Sequence, residues 1–257
     1  MKPISLVVID NDGCLVLDQY TNYDLAFVEK MRAFAREAEK GPGNPVPLFT
    51  FITGRPQPFV ECMQKMFEIS LPAIFENGAG MDLGGQSRVA VHPNISEDAV
   101  DGLLDARRIL RRTVMKEIPS FFQPGKDLSI TIIPHDPADK PRLFDLSNEV
   151  CEREGLNFEV MIAMRAVDFM LPGTNKGDGL EWLAEHMGHP LDQVAGIGDT
   201  SGDVAFLTRC AFGAAPANAV DPVKQAADYV SPHEAQAGVL DILDKIIARN
   251  NELVASG

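Results

Sequence analysis

The chain has 257 residues, with 23 Lys or Arg against 37 Asp or Glu, a formal net charge of −14. Nucleic-acid binding relies on basic side chains that neutralise phosphates, so this balance argues against a nucleic-acid partner. It argues equally against docking on an anionic membrane surface. A small phosphorylated metabolite is not excluded, because such a ligand needs only one locally positive pocket.

The hydrophobic fraction of 45% is ordinary for a folded protein, and the length suits one large domain or two modest ones. No stretch approaches the roughly 20 apolar residues of a membrane span. After Met1-Lys2-Pro3 the apolar run of residues 4–9 stops at Asp10, too short for a signal peptide. Cys14, Cys62, Cys151 and Cys210 are far apart and form no CxxC pair. Reduced, mostly buried thiols and a cytoplasmic location are the expectation.

Residues 4–9 form a short β-rich run of the kind covered on both faces in a parallel sheet. A helical stripe of Leu25, Val28, Met31, Ala35 and Ala38 follows, and Gly41-Pro42-Gly43-Asn44-Pro45 breaks it. A second buried run, residues 48–52, ends at Thr53-Gly54-Arg55-Pro56. After another helix, residues 72–75 run into Glu76-Asn77-Gly78-Ala79. Around Gly84-Gly85 the texture changes. Ser96 is placed to cap a helix carrying Val100, Leu103, Leu104 and Leu110. Strands are expected at residues 114–118 and 127–133, then a helix at 143–154 and strands at 158–162 and 166–171. Within 127–133, Leu128, Ile130 and Ile132 alternate with Ser129 and Thr131, the period of a sheet with one buried face.

Beyond Pro172-Gly173 the parallel-sheet texture returns. A helix spans residues 176–187, a strand at 193–197 ends at Gly198-Asp199, and strands at 211–215 and 228–230 precede a final helix carrying Val239, Ile242, Leu243, Ile246 and Ile247. The expected fold class is α/β, a doubly wound, mostly parallel sheet formed by residues 1–83 and 172–257. Residues 84–171 are expected to form an inserted α+β cap of order αββαββ.

Four polar segments sit at strand ends or helix starts: Asp10-Asn11-Asp12-Gly13, Thr53-Gly54-Arg55, Lys176, and Gly198-Asp199-Thr200-Ser201-Gly202-Asp203. Ligands of doubly wound sheets collect at the carboxyl ends of the strands. Any one segment alone has an ordinary explanation as a turn, a solvated charge or a cap. Their order and spacing together resemble the haloacid dehalogenase (HAD) superfamily of phosphohydrolases, and the position and order of the insert resemble its Cof-type branch, subclass IIB. Ile74-Phe75-Glu76-Asn77-Gly78-Ala79 and Pro216-Ala217-Asn218-Ala219 are similar to further segments of that branch.

The resemblance implies a phosphatase acting on a small phosphomonoester, a sugar phosphate first among them, through an aspartyl-phosphate. Asp10 matches the nucleophile and Asp12 the general acid/base, a role that needs a raised pKa, which crowding by other carboxylates would supply. Thr53, Gly54, Lys176 and Arg55 match the phosphate site, with Arg55 free to touch phosphate or to pair with a neighbouring carboxylate. Backbone N–H groups of residues 11–13 add donors to the phosphoryl oxygens. Mg²⁺ is the implied cofactor, held by Asp10, the Asp12 carbonyl and Asp199, with Asp203 as an additional or outer ligand. Two departures stand out: Cys14 where the family commonly has Thr, a peripheral position, and Gly202 where Cof-like members usually carry Asn. The five histidines share no ligand spacing, although His135 and Arg165 lie in the insert and can reach a substrate from it. The alternatives are a phosphosugar mutase of the same fold and a non-catalytic binding protein that keeps it.

Overall fold

A computed structural model describes residues 2–18, 21–41, 43–85 and 88–255. In chain order the elements are β1 (Leu6–Ile9), α1 (Leu25–Ala38), β2 (Leu48–Phe51), α2 (Gln57–Phe67), β3 (Ala73–Phe75), β4 (Gly80–Asp82) and β5 (Val89–Val91). The middle of the chain forms α3 (Glu97–Arg112), α4 (Val114–Glu117), β6 (Ser120–Phe122), β7 (Ser129–Pro134), α5 (Lys140–Glu154), β8 (Glu159–Ile162) and β9 (Val167–Met170). The chain ends with α6 (Lys176–Met187), β10 (Val194–Ile197), α7 (Val204–Leu207), β11 (Phe212–Ala215), α8 (Asp221–Ala226), β12 (Tyr229–Val230) and α9 (Ala235–Ala255).

The main sheet has the order β12-β11-β10-β1-β2 and is parallel throughout. All four residues of β1 are buried, because helices cover both of its faces. Val7 and Ile9 join the cluster under α1, α2 and α9, with Met31, Met63 and Ile242. Leu6 and Val8 join the opposite cluster, with Leu180 and Leu183 of α6 and Phe206 of α7. A single parallel bridge between Ile52 and Ile74 lays β3 alongside β2. β3, β4 and β5 then form a small antiparallel sheet.

The second large sheet is antiparallel, with order β6-β7-β9-β8. One face carries Ile130, Ile132, Val167 and Phe169 against Leu103 and Leu110 of α3 and Leu143 and Val150 of α5. The residues between them, Ser129, Thr131 and Asp168, are polar yet buried, because their face is covered by the parallel unit and not by water.

The structure corrects the sequence reading at several points. Residues 114–117 form helix α4 rather than a strand, and the strand follows at Ser120–Phe122. Val114 and Ile118, four residues apart, both pack into the third core, and so short an apolar run fits either period. β4 and β5 and helix α8 went unread, being too short and glycine- or alanine-rich to carry a pattern. β5, expected in the insert, pairs with β4 instead.

The termini of the parallel unit are pinned by Asn250 of α9, which is 1% exposed. Its Oδ1 accepts from the Ile4 N–H at 2.8 Å, and its Nδ2 donates to the carbonyls of Ile4 and Pro45, each at 2.8 Å. Asn250→Ala strands three backbone groups at once. At about 1–3 kcal/mol for an orphaned buried group, with some relaxation, the expected loss is about 2–4 kcal/mol. Chemical denaturation measures it, and an unchanged midpoint would show that water reaches these groups.

Candidate active site

The polar ends of β1, β2 and β10 and the start of α6 meet at one edge of the parallel sheet. The Asp10 N–H continues the ladder to the Ile197 carbonyl at 2.9 Å, which fixes its backbone beside β10. In the loop that follows, Gly13 has φ +92°, and a Cβ there would overlap the Asp199 carboxylate. Only glycine gives both the conformation and the space. Thr53 is held from both sides: its N–H donates to the Ile74 carbonyl, and its carbonyl accepts from the Asn77 N–H, each at 3.0 Å. Lys176 is the first residue of α6, set there by its cap, Asn175, whose side chain accepts from the N–H groups of Gly177 and Asp178.

Lys176 Nζ lies 3.0 Å from Asp10 Oδ2 and 2.5 Å from Asp203 Oδ1, and all three side chains are buried. Burial alone would lower the Lys176 pKa, but the charges of Asp10 and Asp203 outweigh it and raise it. One ammonium does not compensate the acids around it. Burial, only partly opposed by Lys176, pushes Asp10 up to about 7. Asp199 is pushed up to about 9, by burial first and then by Asp10 and Asp203.

Asp12 turns away from this cluster. Arg55 grips it with two hydrogen bonds, Nε to Oδ2 at 2.7 Å and Nη2 to Oδ1 at 2.6 Å, while the guanidinium lies 4.8 Å from the centre of the Phe59 ring. The expected neighbour of Asp12 was other carboxylates; the neighbour found is a cation, and of the two roles open to Arg55 the structure holds it in the ion pair. The backbone donors of residues 11–13 are also partly committed. The Asn11 N–H donates to Asp10 Oδ1 and the Gly13 N–H to the Val16 carbonyl, each at 2.7 Å. Neither points at a ligand, because the tight loop closes on itself.

Carboxylate oxygens of Asp10, Asp199 and Asp203 lie within 4.8 Å of one another, all buried. This set of hard oxygens suits a magnesium-like cation, whose charge would relieve the crowding that raises Asp10 and Asp199. Asp203 has no oxygen to spare. Oδ1 takes Lys176, while Oδ2 accepts from the N–H groups of Asp199 and Thr200 and from Thr200 Oγ1, at 3.0, 2.8 and 2.8 Å. It therefore suits an outer position, with Asp10 and Asp199 facing the cation. The same bonds explain why Gly202 is tolerated: Asp203 is fully supported by its other neighbours, and a Cβ on Gly202 would meet only Met161 and Thr200 at 3.8 Å. Cys14 is less peripheral than expected, since its thiol lies 3.8 Å from Asp199 Oδ1. Burial and the Asp199 charge raise its pKa well above the usual value, so it stays a thiol.

Asp10, Asp12, Thr53, Gly54, Arg55 and Lys176 line one cleft of about 630 Å³, open to solvent. Its other wall comes from the antiparallel sheet: Gln123, Thr131, Arg165 and Asp168. Asp168 accepts from Thr131 Oγ1 at 2.5 Å and from Asn77 Nδ2 at 3.1 Å, joining the two walls. A second joint lies deeper. Buried Glu76 accepts from the N–H groups of Asp127 and Leu128 and from Ser129 Oγ, and Lys126 Nζ donates to the Gly54 carbonyl at 2.6 Å. Sequence reasoning passed over Gln123, Thr131 and Asp168 as cleft residues; the one signal is at Thr131, which with Ser129 alternates with the apolar residues of β7. His135 stands against Phe121, outside the cleft.

A family model for haloacid dehalogenase-like hydrolases matches residues 130–243. The phosphoglycolate phosphatase of Methanopyrus kandleri is 30% identical over 249 residues, covering 95% of this chain and 97% of that one. The chain belongs to the haloacid dehalogenase-like hydrolases. Its fold agrees with solved members. A haloacid dehalogenase-like hydrolase from Bacteroides thetaiotaomicron superposes with a TM-score of 0.73 at 17% identity, covering 95% of this chain and 99% of that one. A sugar phosphatase of subclass IIB gives 0.64 at 19% identity, covering 94% and 98%. Within the family this hydrolase is of the Cof type.

The raised acids make metal-free stability depend on pH. Unfolded carboxyls ionise near pH 4, whereas folded Asp10 and Asp199 keep their protons to about 7 and about 9. Between those limits the folded chain binds more protons than the unfolded one, so stability falls as pH rises. In chelator, the thermal midpoint is expected to drop between about pH 5 and about pH 9, and added Mg²⁺ to restore it most at the alkaline end. A midpoint that rises with pH would contradict this account of the cluster.

Proposed function

We propose that this hydrolase is a Mg²⁺-dependent phosphatase of small phosphomonoesters, working through an aspartyl-phosphate on Asp10. The observation that carries the reading is the convergence of Asp10, Asp12, Thr53 and Lys176 on one cleft, with Asp199 directly behind Asp10. Named relatives support it, since the Methanopyrus protein is called a phosphoglycolate phosphatase.

In the first step an Asp10 carboxylate oxygen attacks phosphorus as the ester P–O bond breaks, and Asp12 delivers a proton to the departing alkoxide. In the second, water attacks the phosphoryl group, Asp12 takes its proton, and Asp10 is released as the carboxylate. Held by Arg55, Asp12 is set for the second step; the first requires that pair to loosen, as it does when a phosphoryl dianion draws the guanidinium. Lys176 keeps Asp10 oriented and offsets the charge that gathers on the phosphoryl oxygens, and Thr53 Oγ1 is in position to hydrogen-bond one of them. Asp10, the Asp12 carbonyl and Asp199 would hold Mg²⁺, with Asp203 behind them; bound there, the ion supplies charge stabilisation to the phosphoryl oxygens. The antiparallel sheet acts as the cap, covering residues 84–171 apart from β5, and limits the substrate to a small metabolite.

Two variants test this reading. Asp10→Asn is expected to abolish phosphate release, to below about 10⁻³ of the parent rate, with the fold intact by circular dichroism. Substantial residual turnover would remove Asp10 from the nucleophile's role. Asp199→Ala is expected to raise the Mg²⁺ concentration for half-maximal activity by about tenfold or more, since a direct carboxylate ligand is lost; an unchanged metal dependence would exclude it from the ligand set.

A further inference from the structure

Resting on that phosphatase reading, we propose that the substrate's alcohol carries an aliphatic arm, and that a second chamber beside the cleft, between Met161 of the cap and Gly202 of the parallel unit, takes it. In-line displacement places the departing oxygen on the far side of phosphorus from Asp10, so the alcohol points at the antiparallel sheet. The face of that sheet changes character from strand to strand. Thr131, Asp168 and Met161 lie in one row across β7, β9 and β8, and Met170 is two residues from Asp168 on the same face. Thr131 lines the cleft, Asp168 lines both spaces, and Met161 and Met170 line the chamber. The two spaces adjoin, since Asn77, Ala163, Lys176 and Thr200 also line both.

The chamber, of about 470 Å³, has room for a small organic group. Each of its polar side chains already has a protein partner. Asn77 donates to Asp168 at 3.1 Å, Thr174 to the Leu171 carbonyl at 3.2 Å and Thr200 to Asp203 at 2.8 Å. Asn175 caps α6, and Lys176 is held by Asp10 and Asp203. The rest of the cap's wall is Met161, Ile162, Ala163 and Met170, with Met161 and Ile162 37% and 51% exposed, apolar surface that an arm would cover. Thioethers are flexible and polarisable and close around aliphatic chains of irregular shape. On the other side Gly202 leaves the space open: a Cβ there would meet nothing nearer than Met161 and Thr200 at 3.8 Å, so a larger side chain would enter the chamber. A hydroxyl-rich arm would lose its water there without gaining partners, whereas methylenes gain by leaving water.

The test measures kcat/KM for ethyl, n-butyl and n-hexyl phosphate and for 4-hydroxybutyl phosphate, with p-nitrophenyl phosphate as a general phosphomonoester, all with Mg²⁺ present. For the intact enzyme, kcat/KM is expected to rise about twofold or more for each added methylene, and 4-hydroxybutyl phosphate to fall about fivefold or more below n-butyl phosphate. Gly202→Leu is expected to fill the chamber and end the rise at n-butyl phosphate. Met161→Gln, of similar length but polar, is expected to flatten the rise. General destabilisation would instead lower all substrates together. Turnover that does not rise with chain length, a terminal hydroxyl accepted without loss, or a rise unchanged in both variants overturns the inference and leaves the phosphatase reading standing. No phosphate released from any of these substrates overturns both.

Discussion

The site depends on one buried ammonium. Lys176 stands between Asp10 and Asp203 with almost no solvent to share its charge, and each partner arrives from a different segment of the chain. Removing one partner of a buried ion pair leaves an uncompensated charge and typically costs about 3–5 kcal/mol. The contact therefore ties β1, the start of α6 and the loop after β10 into one arrangement. The rest follows from it: Asp203 is positioned to receive the backbone of Asp199 and Thr200, and Asp199 is pressed against Gly13 and Cys14. The surplus of negative charge that results is of the kind a divalent cation would offset.

The antiparallel sheet works by dividing its two faces. Its apolar face builds a core with α3 and α5, and its polar face closes the cleft. Polar side chains are costly to bury unless hydrogen-bonded, and here they are bonded across the boundary: Asp168 to Asn77, Glu76 to the backbone of residues 127 and 128, Lys126 to the Gly54 carbonyl. Glu76 and Asn77 both take positive φ, 48° and 56°, which turns the chain sharply after β3 and aims the two side chains at the opposite wall. The turn thus carries the hydrogen bonds that join the two walls.

The overall acidity of the chain takes on a more specific meaning. Asp10, Asp199 and Asp203 are three of the 37 acids, and they are concentrated in a buried cluster rather than spread over the surface. Such a cluster repels a phosphate unless cations intervene, and Lys176, Arg55 and Arg165 line the cleft in front of it. Each of these cations already faces an acid, so the bare cleft keeps the sign of the net charge, and a bound divalent cation is what would reverse it.

The sequence by itself determined the parallel sheet, the strand ends at which Asp10, Thr53 and Asp199 stand, the helix start that carries Lys176, and the family to which they belong. Strands buried on both faces leave continuous apolar runs, and a reaction centre built at their ends leaves polar residues at fixed places in the order of the chain. Tertiary structure alone decided the pairings. That Asp12 belongs to Arg55 and Asp203 to Lys176, that Arg165 reaches the cleft while His135 does not, and that residues 114–117 coil into a helix all depend on partners tens to more than a hundred residues distant. Local patterns record which face of an element is apolar; they do not record which charge will be opposite, because that is fixed only when two separately formed surfaces meet.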